Sequence, residues 1–241
     1  KISVAGYDVE ETSSERLLGL VINNSLTWDN HLHGNDEHKG LITKLSQRAG
    51  IIRKLSFVMP KERLIIFAEG LFFSLLNYCI EVYGNVWGLG GYDETVRHST
   101  AFRKEDNNKL QVLVNKVLRA VTGLDYDTPS ALLASTSGQL SVHQRTALFT
   151  LTSVHKSLKM KEPAYNYESF NNNFNDGQDG HHQANCKSIK YNLSVSRCGY
   201  YYRGSRLYNK LPNSLVNTPK LKDFKKNAKI WVKNNIPLRP P

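Results

Sequence analysis

Two stretches of the chain combine basic and aromatic side chains, the residue types that bind nucleic acid. The first consists of two segments with helical spacing, which form one surface if their helices pack side by side. Its basic residues are Lys44, Arg48, Arg53, Lys54, Lys109, Lys116 and Arg119. The second lies near the C-terminus, continues into the lysines of residues 220–233, and contains Arg197, Tyr200, Tyr201, Tyr202, Arg203 and Arg206. Basic groups neutralise phosphates, and tyrosine rings stack on unpaired bases. Both stretches are candidate nucleic-acid-binding surfaces, and a solvated charged face is the alternative for each.

Other residue types that carry chemistry are poorly spaced for it. A possible zinc set, His181, His182, Cys186 and Cys198, lacks the tight ligand pairs of structural zinc sites, which favours solvated histidines and ordinary thiols. Asp125 and Asp127 fit turn hydrogen bonds better than a Mg²⁺ site. The sequence has no adjacent Asp-Asp pair, no phosphate-binding Gly-Lys loop and no serine nucleophile elbow. We therefore predict no catalytic residues, no metal and no cofactor in this segment.

The composition predicts a folded, basic, intracellular protein. The chain has 241 residues, 40% of them hydrophobic, and a formal net charge of +11, which favours nucleic acid or an acidic membrane surface as a partner. The charge is uneven, because residues 1–38 are acidic whereas residues 187–241 carry Asp223 as their one acid. Three scattered cysteines fit a reducing compartment.

Hydrophobic periodicity predicts the elements that must position these residues. Alternation around Ala5-Gly6 indicates a first hairpin, and apolar residues on both sides of a turn at 23–25 indicate a second. Helical spacing and capping residues then predict helices over about 39–55, 61–86, 107–121, 129–134, 142–159 and 219–234. The apolar run at 64–82 contains Glu69 and Glu81, which favours a helix buried in a bundle over a membrane span.

Several short motifs follow one another in a specific order. They are 2–6, Leu18-Gly19-Leu20, Leu26-Thr27-Trp28 with His31, the basic helix 44–55, the Pro60-initiated helix, Tyr78 with Trp87-Gly88, Leu118-Arg119 before Gly123, Tyr208-Asn209-Lys210-Leu211-Pro212 and Phe224-Lys225. This ordered set resembles the part of non-LTR (LINE-type) retrotransposon reverse transcriptases that follows the catalytic palm. The resemblance covers nearly the whole chain.

The resemblance implies a role for each part of the chain. Residues 1–28 would be β-hairpins at the palm edge, with Leu18, Gly19, Leu26 and Trp28 in the primer grip. Residues 29–123 would be a helical thumb, 124–164 post-thumb helices, 165–188 a flexible linker and 189–241 a basic C-terminal segment. The catalytic aspartates that bind Mg²⁺ would lie upstream of Lys1.

Together these observations predict a mainly α fold, a thumb-like helical bundle with a small N-terminal β-hairpin portion and a basic C-terminal α segment. The resemblance implies binding of an RNA/DNA template-primer duplex within an RNA-directed DNA polymerase. Its partners would be the upstream palm and fingers of the same polypeptide, in cytoplasm and nucleus, without a membrane. The alternative is a decayed or co-opted element that serves as a helical protein-interaction scaffold.

Overall fold

The computed structural model describes residues 2–4, 7–9, 11–87, 103–171, 186 and 199–240. These residues form a mainly helical fold with a small N-terminal β portion, as the sequence predicts. The strands are β1 (Ile2–Val4), β2 (Tyr7–Val9), β3 (Ser14–Leu17) and β4 (Leu20–Asn23). They pair as two antiparallel hairpins, with Ile2 opposite Val9 in the first and Ser14 opposite Asn23 in the second.

The second hairpin turns at Leu18-Gly19, so the prediction that its turn lies at 23–25 is wrong. A separate turn does follow β4, where the Leu26 N–H donates to the Asn23 carbonyl at 3.0 Å. Leu18 has φ +48° and Gly19 has φ +88°, and two consecutive positive φ values suit the two-residue loop of a tight hairpin. Asn23 was the stronger turn signal because asparagine tolerates such conformations. Instead, Asn23 ends β4, and its Oδ1 accepts the N–H of Thr27 at 2.8 Å.

The helical part begins directly after β4. Its α-helices are α1 (Asp29–His33), α2 (Leu41–Leu55), α3 (Lys61–Ala68), α4 (Ser74–Asn77), α5 (Ile80–Tyr83), α6 (Lys104–Thr122), α7 (Ser130–Ser137), α8 (Val142–Met160), α9 (Ala164–Asn171), α10 (Tyr200–Asn209), α11 (Asn213–Val216) and α12 (Leu221–Asn235). The predicted end of α6 is confirmed, since Gly123 follows it with φ +71°. The predicted cap of α8 is also confirmed, because Ser141 and Gln144 form a capping box.

The single helix predicted over 61–86 is interrupted twice. A π-helical turn (Glu69–Phe73) separates α3 from α4, and Cys79, with φ +53°, separates α4 from α5. At the second break the Tyr83 hydroxyl donates to the Leu76 carbonyl at 2.6 Å. Most apolar side chains of this region lie in the protein core, as predicted, whereas Ile66, Phe67 and Val82 are exposed. Among the described residues, no helix combines the length and apolarity that crossing a membrane requires.

Two hydrophobic clusters form the interior, and α8 belongs to both. The first contains residues of β4, α1 to α6 and α7 together with Val142, the first residue of α8. The second contains later residues of α8 and residues of α9 to α12. Phe170 of α9 is fully buried there, so the predicted flexible linker is wrong for residues 165–171. Residues 172–185 and 187–188 of that linker lie outside the described part of the chain.

Buried neutral histidines join distant segments of this interior. His143 Nε2 accepts the N–H of Trp87 at 3.0 Å, and its Nδ1 lies 3.1 Å from the Pro237 carbonyl, to which it donates. One nitrogen must therefore be unprotonated. Burial lowers the pKa of His31, His143 and His155 from 6.5 to about 4. These histidines are therefore harder to protonate in the folded chain than in the unfolded chain.

We expect acid to destabilise the fold between pH 6.5 and 4. In that window the unfolded state binds more protons than the folded state, so the free energy of unfolding falls as the pH is lowered. Each buried histidine should cost about 2 kcal/mol between pH 7 and 5. Urea unfolding at pH 7.5, 6 and 5 measures this, and His143→Gln should reduce the pH dependence. A midpoint that stays constant over these pH values would contradict the prediction.

Candidate nucleic-acid interface

A groove of about 440 Å³ lies between α2 and α6, which pack side by side. Small residues line its base, and a Cβ added to Gly50 would meet nothing within 4 Å, so this part of the groove is open. Its basic side chains are Arg53 of α2 and Lys116 and Arg119 of α6. The groove therefore brings together three of the predicted nucleic-acid-binding residues from two helices.

Two exposed aromatic residues also line this groove. Phe57 follows α2 and is 81% exposed, and Tyr126 follows α6 and is 86% exposed. Neither belonged to the predicted site, because each follows a helix rather than lying in a basic-aromatic run. The sequence signal that could have found them is an aromatic residue a few positions after a basic helix. Exposed rings beside cations are suited to stacking on bases or sugars.

Arg119 positions the loop that carries Tyr126. Its Nε donates to the Asp125 carbonyl at 3.3 Å and its Nη2 to the Thr128 carbonyl at 3.2 Å. The guanidinium carbon also lies 5.2 Å from the centre of the Tyr126 ring, a cation–π contact. Asp127, in the same loop, is exposed and reduces the local positive charge. Arg53 and Lys116 are the exposed cations of the groove.

The basic residues of α2 do not share one face. At about 100° per residue, Lys44 and Arg48 lie on one side of the buried stripe and Arg53 lies on the other. Arg48 Nη1 donates to the carbonyl of Leu71, within the π-helical turn, at 2.6 Å. Burial lowers the pKa of Lys44, and the nearby cations Arg16 and Arg48 lower it further. The basic residues predicted to form one nucleic-acid-binding surface are therefore separated, and Lys44 and Arg48 lie outside the groove.

Lys54 and Lys109 are exposed but do not line the groove either. Lys54 lies on the side of α2 that faces away from its buried stripe. Lys109 Nζ lies 3.6 Å from Asp106 Oδ1 at the start of α6. The predicted cations of the first stretch are thus divided among four places on the surface.

Asp106 belongs to a charged cluster that joins α1 to α6. Its Oδ1 lies 2.9 Å from His33 Nε2, and Arg103 forms ion pairs with both Asp106 and Asp29. Ligand atoms of Asp29, His33 and Asp106 lie within 4.8 Å of one another, a spacing that a metal ion could use. However, Arg103 and Lys109 already balance the two carboxylates, so a divalent cation would add unopposed positive charge. We assign the cluster to an ion-pair network.

The C-terminal basic-aromatic stretch is largely used for packing. Arg203 is only 3% exposed, and its Nη2 donates to the carbonyls of Glu81 at 3.1 Å and Val82 at 3.4 Å. It therefore links α10 to α5, and its predicted role in nucleic-acid binding is wrong. The Tyr201 hydroxyl donates to Asn166 Oδ1 at 2.7 Å.

Arg206 remains on the surface side of α10 and donates to the Tyr202 hydroxyl one turn earlier. Its guanidinium carbon lies 5.2 Å from the centre of the Tyr202 ring. Arg197, the remaining predicted cation of this stretch, lies outside the described residues. Within the described part of α10, Arg206 and Tyr202 are thus the pair of this stretch that could meet a ligand.

The predicted primer-grip residues divide into exposed and anchoring side chains. Leu18, at the tip of the second hairpin, is 83% exposed, and Leu26 is also exposed. The Tyr78 hydroxyl donates to the Leu18 carbonyl at 2.6 Å, and the Tyr78 ring lies 3.3 Å from where a Cβ on Gly19 would be. The Trp28 ring packs edge-on against the rings of His31 and Tyr83. Thus the leucines are available to a ligand, Gly19 lies against the Tyr78 ring, and Trp28 packs against the first hydrophobic cluster.

Of the possible zinc ligands, the structure describes Cys186. Its side chain is fully buried, and its Sγ lies 3.7 Å from the Phe170 carbonyl, to which the thiol donates. Burial raises the pKa of this thiol to about 12. Zinc binds the thiolate, so this environment favours a packing role. His181, His182 and Cys198 lie outside the described residues.

Comparisons of the chain with protein-family models, curated proteins and solved structures find no match. The resemblance to non-LTR reverse transcriptases therefore stays a prediction. The candidate site is defined by the structure alone, because Arg53, Lys116 and Arg119 line one groove together with Phe57 and Tyr126. This arrangement can bind an extended polyanion and stack on planar groups.

We expect Asp106→Asn to lower the free energy of unfolding by about 2 kcal/mol, because the charge-assisted bonds of the buried carboxylate are weakened. Urea unfolding measures the change, and Asp125→Asn is the matched control because that carboxylate is exposed. Adding Zn²⁺ should leave the melting temperature unchanged. A Zn²⁺-dependent rise in the wild type that disappears in Asp106→Asn would show a metal site instead.

Proposed function

We propose that this chain binds an RNA/DNA template-primer duplex, as the thumb and C-terminal part of a retrotransposon RNA-directed DNA polymerase. The observation that carries the proposal is the groove between α2 and α6, with cations and exposed aromatic rings on a rigid apolar support. The motif order described above supports the polymerase assignment. The groove supports the ligand class independently of that resemblance.

The groove chemistry favours contact with the nucleic-acid backbone. Arg53 and Lys116 present positive charges that neutralise phosphates whatever the base sequence. A polymerase must accept every sequence, so shape and charge suit it better than base-specific contacts. Phe57 and Tyr126 add surfaces that can stack on a sugar or an unpaired base.

The second hairpin would contribute apolar contacts near the primer end. Leu18 and Leu26 expose their side chains although both have positive φ, a backbone conformation that is costly for leucine. The hydrogen bond from Tyr78 helps to hold the Leu18 conformation. The exposed apolar side chains of Leu18 and Leu26 make no use of the protein core and are therefore available for a binding role.

A protein-interaction scaffold is the second candidate, and an apolar surface on α3 favours it. Ile66 and Phe67 are exposed there, and Met59 and Leu71 line the same depression of about 570 Å³. In a polymerase, the palm or fingers of the same polypeptide could cover this surface. Translating the reading frame upstream of Lys1 separates the two candidates, because an intact palm favours the polymerase and an unrelated domain favours the scaffold.

We expect Arg53→Gln with Lys116→Gln to weaken binding of an RNA/DNA hybrid roughly tenfold at about 0.1 M salt. The slope of log K against log salt should become shallower by about 2, since two phosphate contacts are lost. Fluorescence anisotropy across a salt series measures both quantities. Arg119 is left intact because it holds the loop after α6.

The matched control is Lys156→Gln with Lys159→Gln, which removes the same charge from exposed positions of α8. It should leave the salt slope almost unchanged. An unchanged slope in the groove variant, or an equal loss in the control, would contradict a specific role for the groove.

A further inference from the structure

One face of α12 is occupied by lysines. At about 100° per residue they fall within an arc of about 100°, which defines a lysine ridge along the helix. Its members are Lys222, Lys225, Lys226, Lys229 and Lys233. Phe224, Ala228 and Val232, on the other side of α12, are fully buried in the second hydrophobic cluster. All five lysines are exposed, and Lys229 and Lys233 also approach the body of the protein, where Lys233 donates to the Gly138 carbonyl at 3.1 Å.

The charge of this ridge is almost unopposed. Asp223 is the one acid in α12, and none of the described carboxylates lies within ion-pair distance of any ridge lysine. Glu69 is close enough to interact with Lys229, but the neighbouring cations Lys233 and Arg145 oppose it. Like charges held this close repel one another, and an anionic ligand would relieve the repulsion.

We propose that the lysine ridge of α12 binds the sugar-phosphate backbone of a nucleic-acid duplex as a second contact, additional to the groove between α2 and α6. From Lys222 to Lys233 the helix rises about 16 Å. Over that length one strand of a duplex presents about five phosphates, which matches the number of lysines. The ridge therefore fits a strand that runs roughly parallel to α12.

An acidic membrane fits this surface less well. Helices that bind a membrane surface insert an apolar face beside their basic residues. The apolar side of α12 is already buried against α8, and Ile230, on another side of the helix, is the exposed large apolar residue of α12. A ridge of charge without an apolar face is suited to a polyanion whose charges are arranged in a line.

This inference takes its ligand class from the proposed function, and separate variants distinguish the two. The ridge variant is Lys222→Gln, Lys225→Gln and Lys226→Gln, which keeps Lys229 beside Arg145 and keeps the hydrogen bond from Lys233 to the Gly138 carbonyl. The probe is a 20-base-pair RNA/DNA hybrid in a salt series. We expect a salt slope shallower by about 2 to 3 and an affinity at least tenfold lower near 0.1 M salt.

Two controls test whether position and charge matter. Lys39→Gln with Lys156→Gln and Lys159→Gln removes the same charge from exposed positions elsewhere, and it should change the slope little. Replacing the three ridge lysines by arginine should preserve the slope. Thermal unfolding of each variant verifies that the fold is intact.

The outcomes separate the ridge from the groove. A normal slope in the ridge variant, or an equal loss in the scattered control, overturns the ridge proposal and leaves the groove untouched. A ridge effect with no effect of the groove variant supports the ridge and contradicts the groove. Loss of binding to phosphatidylserine vesicles together with unchanged hybrid binding would assign the ridge to a membrane and overturn the proposal.

Discussion

The start of α8 is the constraint on which the rest of the structure depends. Residues 141–147 are all buried, so both sides of the helix are covered by protein there. Among them, Arg145 places a guanidinium carbon 4.1 Å from the centre of the Phe73 ring and donates to the Leu140 carbonyl and to Asn77 Oδ1. Burial lowers the pKa of Arg145 to about 10, yet the group remains charged at neutral pH. A buried charge tolerates few rearrangements of its partners, so α8 has a well-defined position.

The position of α8 determines where α6 and α12, which carry the groove and the lysine ridge, are packed. Gln111 of α6 accepts the N–H of Val142 at 2.8 Å, which ties the groove-lining helix to α8. At the other end, the His155 ring stacks on Phe224 of α12 with a centroid distance of 3.7 Å. The groove and the lysine ridge therefore belong to two helices that pack against the same buried element. Their cations can bind a backbone without an additional cost of ordering the helices that carry them.

The sequence correctly predicted those helix ends that depend only on residues close by in the chain. Gly123 ends α6 and Ser141 begins α8, because a positive φ and a capping box depend on neighbouring residues alone. Features that depend on distant partners were missed. Leu18 turns the second hairpin with help from Tyr78, and Arg203 is buried because the carbonyls at the end of α5 accept its N–H groups. The groove was predictable in part: three of its cations were identified, whereas its aromatic residues required the packing of α2 on α6.

The arrangement of the cations determines how many backbone phosphates this chain can contact. Along α2 the basic residues are divided by the buried stripe, so the cations of this helix do not form a single continuous face. What remains is a groove with two exposed cations, Arg53 and Lys116. Two phosphate contacts alone would give weak binding with a shallow dependence on salt, because each neutralised phosphate adds only about 0.9 to the salt slope. The lysine ridge of α12 supplies five further cations, so a chain that grips a duplex firmly needs both surfaces.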